Sequence, residues 1–328
     1  MRAFVRQQFG GPEVLKLVDS DKPEPGEGQV LVRVHATSVN PYDWHHLRGE
    51  PRMARLVSGG VGLLRPKLAS AGCDVAGRVE AVGAGVTRFA SGDDVYALVE
   101  WGGFAEYACV AQDLLSPMPS NLTHDQAATV PMAAATALLA LRDARVQSGQ
   151  EVVITAASGG VGTFAVQIAV AMGANVTAVC GARSQELVRW LGATRAIDYA
   201  GGEFTSERRY DAAIDIAGRT STRAWRRALK PKGALVIVGG PPGRWFQPMT
   251  HFLASIAAGA VASQRVVGTD IGRCSEKGEL LAALTRFIED GAVTPVIDRS
   301  YPFQELAEAI RYQELGHARG KVVVTMGV

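Results

Sequence analysis

The chain has 328 residues, 47% of them hydrophobic and 20% charged, with a formal net charge of +2. That length suits two domains or one large one with ample core, and the near-neutral balance gives no electrostatic footing for nucleic acid or an anionic membrane. The cysteines Cys73, Cys109, Cys180 and Cys274 are scattered and form no C-x-x-C pair, so neither a disulfide framework nor a structural zinc lobe is indicated and a cytoplasmic, reducing compartment is expected.

The N-terminal MRAFVRQQFG lacks the long apolar core of a signal peptide and reads as a strand. The Pro- and Gly-rich segment Lys22 to Gly28 is a loop feeding the alternating strand Val30 to Val34. The stretch from Arg48 to Ser70, with Gly59-Gly60 and Pro66, is irregular and reads as a mobile loop beside a pocket. Strands follow at Asp74 to Val82 and Asp94 to Val99, separated by Gly83-Ala84-Gly85 and Ser91-Gly92-Asp93. Thr123 has capping chemistry and starts a helix that continues through the alanine-rich Ala127 to Leu141.

The segment from Val152 to Tyr199 is the most informative. Val152-Val153-Ile154 is a short β-branched strand. The turn Ala157-Ser158-Gly159-Gly160-Val161-Gly162 carries the G-x-G-x-x-G fingerprint with Ala in the first position. In such a turn Gly159 lets the backbone approach a pyrophosphate and Gly162 lets the helix close on the strand. The helix opens there, so its free N–H groups and dipole face the phosphates. A preceding strand and a following helix are the context that the motif requires.

The second strand, Val176 to Val179, ends in Cys180-Gly181-Ala182-Arg183-Ser184, with no acid. An enzyme selective for NAD usually places Asp or Glu there for the ribose 2′-OH. Arg183 and Ser184 instead suit a 2′-phosphate, which favours NADP(H), although an Arg at this point can also be a solvated residue starting a helix. Strands at Asp211 to Ile216, Ala234 to Val238 and Arg265 to Val267 continue the alternation, with helices near Ser221 to Leu229 and His251 to Ala262. Gly278 to Glu289 is a further amphipathic helix, and Lys321 to Thr325 returns to strand.

Several motifs in order resemble the medium-chain dehydrogenase/reductase superfamily, and more narrowly its zinc-independent quinone oxidoreductase branch, the group near zeta-crystallin and the reticulon-interacting oxidoreductases. They are Ser38 to Trp44 (SVNPYDW), Gly72 to Gly77 (GCDVAG), Val82 to Phe89 with Gly92-Asp93, the glycine turn, Leu191-Gly192-Ala193 with Ile197-Asp198-Tyr199, Pro295-Val296-Ile297, and His317 to Val323 (HARGKVV). The resemblance implies an α/β protein in which a Rossmann doubly wound parallel sheet is inserted in a β-rich GroES-like catalytic domain. Residues 1–123 and 274–328 would form the catalytic domain and 124–273 the NADP-binding domain. Zinc members carry Gly-His-Glu where this chain has Gly72-Cys73-Asp74. A catalytic zinc needs three protein ligands, and the conceivable set of His45, His46, Cys73 and Asp74 lacks the family spacing, so no metal is expected.

The implied activity is hydride transfer from NADPH to a quinone or to the β-carbon of an α,β-unsaturated carbonyl. Asn40 and Asp43 match the N-x-x-D positions beside the nicotinamide, with Asn40 a donor to the acceptor carbonyl or the ribose and Asp43 an orienting group; a plain turn at Ser38 to Pro41 is the alternative. Tyr42 and Trp44 would add an O–H donor and a flat wall, or belong to the core. A tyrosine common shortly after this motif is not evident, since the chain reads His45-His46-Leu47-Arg48. Thr136 matches a threonine near the nicotinamide. Ser158, Gly159, Gly160, Val161 and Gly162 would hold the pyrophosphate. Gly181, Arg183 and Tyr199 match positions around the 2′-phosphate, with Gly181 replacing a frequent serine. Ala217 and Gly239 end later strands, where this fold binds its ligand. Arg319 and Lys321 would reach the cofactor phosphates or stay at the surface. A homodimer is expected from the family. Two alternatives stay open: an enoyl reductase for a carrier-bound or lipid-like substrate, its pocket walled by the Arg48 to Ser70 loop, and an NADPH-binding sensor or assembly protein without turnover.

Overall fold

The computed structural model describes residues 1–52, 55, 62, 65–66, 70–201, 203–240 and 263–327. Most of the loop expected between Arg48 and Ser70, and all of the helix expected at His251 to Ala262, lie outside the described residues. The chain divides into two compact units. Met1–Ala135, Cys274–Glu289 and Pro295–Val328 form the first; Thr136–Arg273 and Asp290–Thr294 form the second.

The first unit opens with β1 (Arg2–Val5) paired antiparallel to β2 (Lys16–Asp19). Its main sheet contains β3 (Gln29–Val39), followed by helix α1 (Pro41–Arg48), then β4 (Asp74–Val82), β5 (Asp94–Leu98), β6 (Tyr107–Ala111) and β7 (Leu115–Pro117). Two helices follow, α2 (His124–Ala127) and α3 (Pro131–Ala144). The expected continuous helix from Thr123 is therefore two helices. Thr123 caps the first, accepting from the Gln126 N–H at 3.3 Å, but Pro131 lacks an N–H and biases Val130 away from helical geometry, so a new helix starts there.

The second unit contributes β8 (Glu151–Thr155), α4 (Gly160–Ala171), β9 (Asn175–Cys180), α5 (Gln185–Trp190), β10 (Arg195–Asp198), β11 (Tyr210–Asp215), α6 (Thr222–Ala228), β12 (Leu229–Ile237) and β13 (Arg265–Gly268). The chain then supplies α7 (Lys277–Glu289), β14 (Ile297–Pro302), α8 (Leu306–Glu314) and β15 (Lys321–Thr325) to the first unit. The main sheet there runs β14-β15-β3-β4-β5-β7, with β6 also pairing β3.

β3 is longer than its alternation alone predicts. It is flanked by β4, β6 and β15 along its length, so its second half, Ala36 to Val39, is buried throughout. Its apolar face (Val30, Val32, Val34) packs with Val75, Val79, Phe104, Phe303 and Leu306 in the core. The register carries chemistry. β15 is antiparallel to β3 with Val322 opposite Val39, which brings Lys321 to Asn40. β4 is antiparallel with Ala76 opposite Ala36, and continuing that count sets Asp74 beside Ser38. Three strand ends thus converge on one point.

The six-stranded sheet of the second unit has the order β10-β9-β8-β11-β12-β13, every pair parallel. The chain builds outward from β8 to β10 and then crosses to β11 on the other side of β8. Ligands of doubly wound sheets bind at the carboxyl ends of the strands beside such a reversal, here the ends of β8 and β11. This arrangement is the expected α/β architecture: a Rossmann-like parallel sheet and a GroES-like β-rich sheet.

Candidate active site

In the second unit the dinucleotide cradle is built by close backbone approach. α4 begins at Gly160 with Gly159 as its N-cap. A Cβ on Gly162 would lie 2.1 Å from the Ala156 carbonyl oxygen and 2.7 Å from the Ala157 backbone, so the helix can close on β8 only with glycine there. Gly159 has a single near neighbour, the same oxygen at 3.3 Å, and its outer side is open. The first-turn amides of Gly160 and Val161 lack intrahelical acceptors by geometry, and Ser158 adds a partly exposed hydroxyl. Such a turn at the start of a 12-residue helix is the geometry that suits an anion. Gly162→Ala is expected to lower the melting temperature by roughly 5 °C or more, because backbone oxygen rather than a flexible side chain meets the new methyl; thermal unfolding by circular dichroism measures it.

The carboxyl ends of β9 and β10 lie side by side, with Cys180 opposite Asp198. Gly181 follows the first strand and Tyr199 the second. The Tyr199 ring carbon would sit 3.4 Å from a Cβ on Gly181, an ordinary contact, so the serine frequent here in the family would also fit. Tyr199 is 64% exposed. Arg183 is exposed in the short 3₁₀ turn Ala182–Ser184, while Ser184 is buried. Asp198 turns its carboxylate onto the Ala200 N–H at 3.0 Å.

Across the sheet reversal, the loops after β11 and β12 pack backbone on backbone. A Cβ on Gly239 would lie 2.3 Å from the Ile216 oxygen, and one on Gly218, which has φ of +61°, 2.3 Å from the Gly240 Cα. Asp215, which the sequence reading passed over, holds this loop. Its Oδ1 accepts from the Thr155 hydroxyl at 2.8 Å and the Gly218 N–H at 3.0 Å, and its Oδ2 accepts from the Trp225 indole at 2.9 Å. The Thr155 Oγ1 in turn accepts from the Ile216 and Ala217 amides at 2.9 and 3.0 Å. Ser158 to Gly162, Gly181, Arg183, Tyr199, Ala217 and Gly239 therefore all lie along one edge of one sheet. Thr136 is buried on α3, in the second unit.

In the first unit a buried polar cluster occupies the point where β3, β4 and β15 converge. Asp43 caps α1: its Oδ2 accepts from the Asn40 backbone N–H at 2.7 Å. The Asn40 side-chain nitrogen donates to Asp74 Oδ2 at 2.8 Å, and its oxygen accepts from the Lys321 ammonium. Asp74 Oδ2 also accepts from Ser38 Oγ and, at 3.4 Å, from Lys321, while its Oδ1 accepts from the Met132 N–H at 2.7 Å. The Cys73 thiol faces Asp43 Oδ1 and the Glu100 carbonyl, each at 3.7 Å. Asn40, Asp43, Asp74 and Lys321 are all at most 3% exposed.

Expected at the cofactor phosphates or at the surface, the Lys321 side chain is 3% exposed, ion-paired to Asp74 and bonded to Asn40, which corrects the surface reading and places its ammonium within the cluster. Arg319, two residues earlier, is exposed in the turn before β15.

Burial shapes the protonation of the cluster. Desolvation raises the Asp43 carboxyl from 3.8 to about 7, against the pull of the Asn40 N–H. Burial, reinforced by the neighbouring Asp43 and Asp74, pushes the Cys73 thiol well up, so it stays a thiol in this setting. On α1, burial and then the nearby Arg6 lower His46 to about 4, which keeps it neutral. Its ring packs 4.1 Å from Tyr42 and 4.7 Å from Trp101, and Tyr42 lies 5.8 Å from Trp101. Trp44 stacks on His45 at 3.7 Å. Tyr42 therefore belongs to an aromatic cluster whose third member, Trp101, no sequence motif marked.

These two shifts have opposite consequences for stability. Between about pH 4 and 7 the folded chain keeps a proton on Asp43 that the unfolded chain has released, so that contribution falls as pH rises through the window. Between about pH 4 and 6.5 the unfolded chain protonates His46 while the fold does not, so that contribution rises with pH. Asp43→Asn removes the first alone. Its melting temperature is expected to climb from pH 4 to 7 relative to that of the unaltered protein; a constant difference would contradict a raised Asp43 pKa.

Comparison with known proteins follows this geometry. Residues 26–120 match the alcohol dehydrogenase GroES-like domain family and residues 191–324 the zinc-binding dehydrogenase family. The chain is 34% identical over 364 residues to the mitochondrial NAD(P)H oxidoreductase RTN4IP1 of Mus musculus, covering 99% of this chain and 89% of that one. It is 33% identical to the chloroplastic NADPH-dependent alkenal/one oxidoreductase of Arabidopsis thaliana, covering 99% and 79%. The solved structure of the quinone oxidoreductase from Coxiella burnetii superposes with a TM-score of 0.85 at 30% identity, covering 100% of this chain and 99% of that one. The chain belongs to the medium-chain dehydrogenase/reductase superfamily, in its zinc-independent quinone oxidoreductase branch.

Proposed function

We propose that this protein is an NADPH-dependent, zinc-independent oxidoreductase that delivers hydride to a quinone or an α,β-unsaturated carbonyl. The observation that carries the reading is the acid-free carboxyl end of β9, where Arg183, Gly181 and the exposed Tyr199 adjoin the glycine cradle. The cradle fits a dinucleotide because a side chain on Gly162 would meet backbone. Gly160, Val161 and Ser158 would hold the pyrophosphate, Arg183 the 2′-phosphate, and the Ala217 and Gly239 loops the remainder of the cofactor. When bound, NADPH supplies the hydride. Relatives named as NAD(P)H, quinone and alkenal/one oxidoreductases support the same assignment.

The protein's own contribution is orientation and charge stabilisation. Asn40 is assigned as the donor to the acceptor's carbonyl oxygen, where negative charge develops as hydride arrives. Asp43, held neutral well below pH 7 by its raised pKa of about 7, fixes the start of α1 through the Asn40 N–H and at neutral pH carries only part of the charge of an ordinary carboxylate. The Asp74 carboxylate is engaged within the protein by Ser38, Asn40 and the Met132 N–H, which supports chemistry without a metal. No donor is assigned for the final proton, and solvent serves. A cytosolic setting and a homodimer belong to the same reading; among the described residues no helix is long and apolar enough to cross a membrane.

The test is NADPH oxidation followed at 340 nm across quinones, enones and a carrier-bound enoyl thioester. Turnover with quinones or free enones, much slower with NADH, is the expected result. Turnover with the thioester alone would make the protein an enoyl reductase, and NADPH binding without any turnover would make it a sensor.

A further inference from the structure

An asparagine amide has an oxygen and a nitrogen of nearly the same shape, and only its neighbours decide which way it points. Around Asn40 the neighbours leave no choice. The Lys321 ammonium has donors and no acceptor, so it selects the Asn40 oxygen; the Asp74 Oδ2, which also accepts from Ser38, takes the nitrogen. Ser38 and the Met132 N–H complete the carboxylate's shell. Every side chain in the set is buried, with Asp74 and Ser38 at 0% and Lys321 at 3% exposure, so water does not substitute for a missing partner. The Asn40 oxygen is held by Lys321, with the Asp43 backbone N–H facing the same side chain in the capping box of α1, and one of its two N–H groups is held by Asp74. Among the described residues, the second N–H is the group left over.

We propose that Lys321 is a positioning residue for the reaction: with Asp74 it locks the Asn40 amide in one orientation, so that the free N–H is the one presented to the oxygen of the hydride acceptor. The consequence for the reaction rests on the function assigned above; the lock itself does not. Lys321 acts through the Asn40 oxygen, which its ammonium holds inward. Without the ammonium that hold is lost, and an amide turned with its oxygen outward repels a developing oxyanion. The role differs from phosphate binding in a measurable respect, because the lock affects the chemical step and leaves cofactor affinity alone.

The experiment uses the full chain in four forms: unaltered, Lys321→Met, Lys321→Arg, and the double variant Lys321→Met with Asp74→Asn. The double variant removes both charges together, so it folds even where the single Met substitution leaves a buried carboxylate unpaired. The first readout is the side-chain amide of Asn40 in ¹⁵N-resolved NMR, assigned by its absence in Asn40→Ala. In the unaltered protein both proton resonances are expected to exchange slowly with solvent; Lys321→Arg keeps them, and loss of Lys321 shifts them or exposes them to exchange. The second readout is steady-state kinetics. Loss of Lys321, alone or in the double variant, is expected to lower kcat about tenfold to 100-fold with the KM for NADPH unchanged within about twofold, and Lys321→Arg to recover most of it. Unchanged Asn40 resonances in the double variant would overturn the proposal, as would a raised KM for NADPH at constant kcat, which marks a phosphate contact. If the unaltered protein turns over no acceptor, the assigned function fails while the NMR result still decides whether the lock exists.

Discussion

Asn40→Ala is expected to lower kcat by about 100- to 1,000-fold at saturating NADPH, the range found when one preorganised donor to a developing oxyanion is removed. The KM for NADPH should stay within about twofold, because the residue belongs to the acceptor's oxygen and not to the cofactor's phosphates. Stability changes as well. The substitution leaves Lys321 and Asp74 without their shared amide, and unmet buried polar groups cost roughly 1–3 kcal/mol each. Kinetics are therefore compared at a temperature where both proteins are folded by circular dichroism. A kcat within about threefold of the unaltered protein would remove Asn40 from the chemistry.

Arg183→Ala is expected to raise the KM for NADPH about tenfold to 40-fold and to leave kcat and the KM for NADH nearly unchanged. A charge-assisted hydrogen bond to phosphate contributes roughly 1.5–3 kcal/mol, and Arg183 is exposed, so the lower half of that range applies and the effect shrinks with salt. The selectivity between the two nucleotides, measured at low and at physiological ionic strength, checks both statements. If selectivity does not change, the 2′-phosphate lies elsewhere, and the exposed Tyr199 becomes the next residue to test.

The cradle was legible in the sequence because its determinants are local. A strand of β-branched residues, a glycine turn and an apolar helix occupy consecutive positions from Val152 to Ala171, and the structure keeps that order. The absence of an acid after β9 is likewise visible within a few residues of Arg183. The cluster in the first unit is different in kind. Asn40 and Asp43 were marked by a short motif, but the partners that give them meaning are 34 residues away for Asp74 and 281 for Lys321. Only the register of β15 and β4 on β3 brings them together, and a register between distant strands is not written in either strand alone. Lys321 accordingly read as either a phosphate ligand or a surface residue. Asp215 was missed for a related reason: an acid ending a parallel strand resembles many such residues until Thr155 and Trp225 are seen to hold it.

Thr123 shows how far local rules reach. Its capping chemistry was read correctly, yet the helix it starts ends at Ala127, and Pro131 opens the next. Capping marks where a helix begins; proline decided where this one could not continue. Trp101 illustrates the converse, since nothing around it announces a site, and only packing against Tyr42 and His46 gives it a place.

The central claim is that the chain is an NADPH-selective reductase working without a metal. The ratio of kcat/KM for NADPH to that for NADH, with a quinone acceptor and after exhaustive dialysis against a chelator, tests it most directly. The account predicts a ratio of at least about ten and an NADPH rate unchanged by the dialysis. A ratio near one, or activity that disappears with the chelator and returns with zinc, would contradict it.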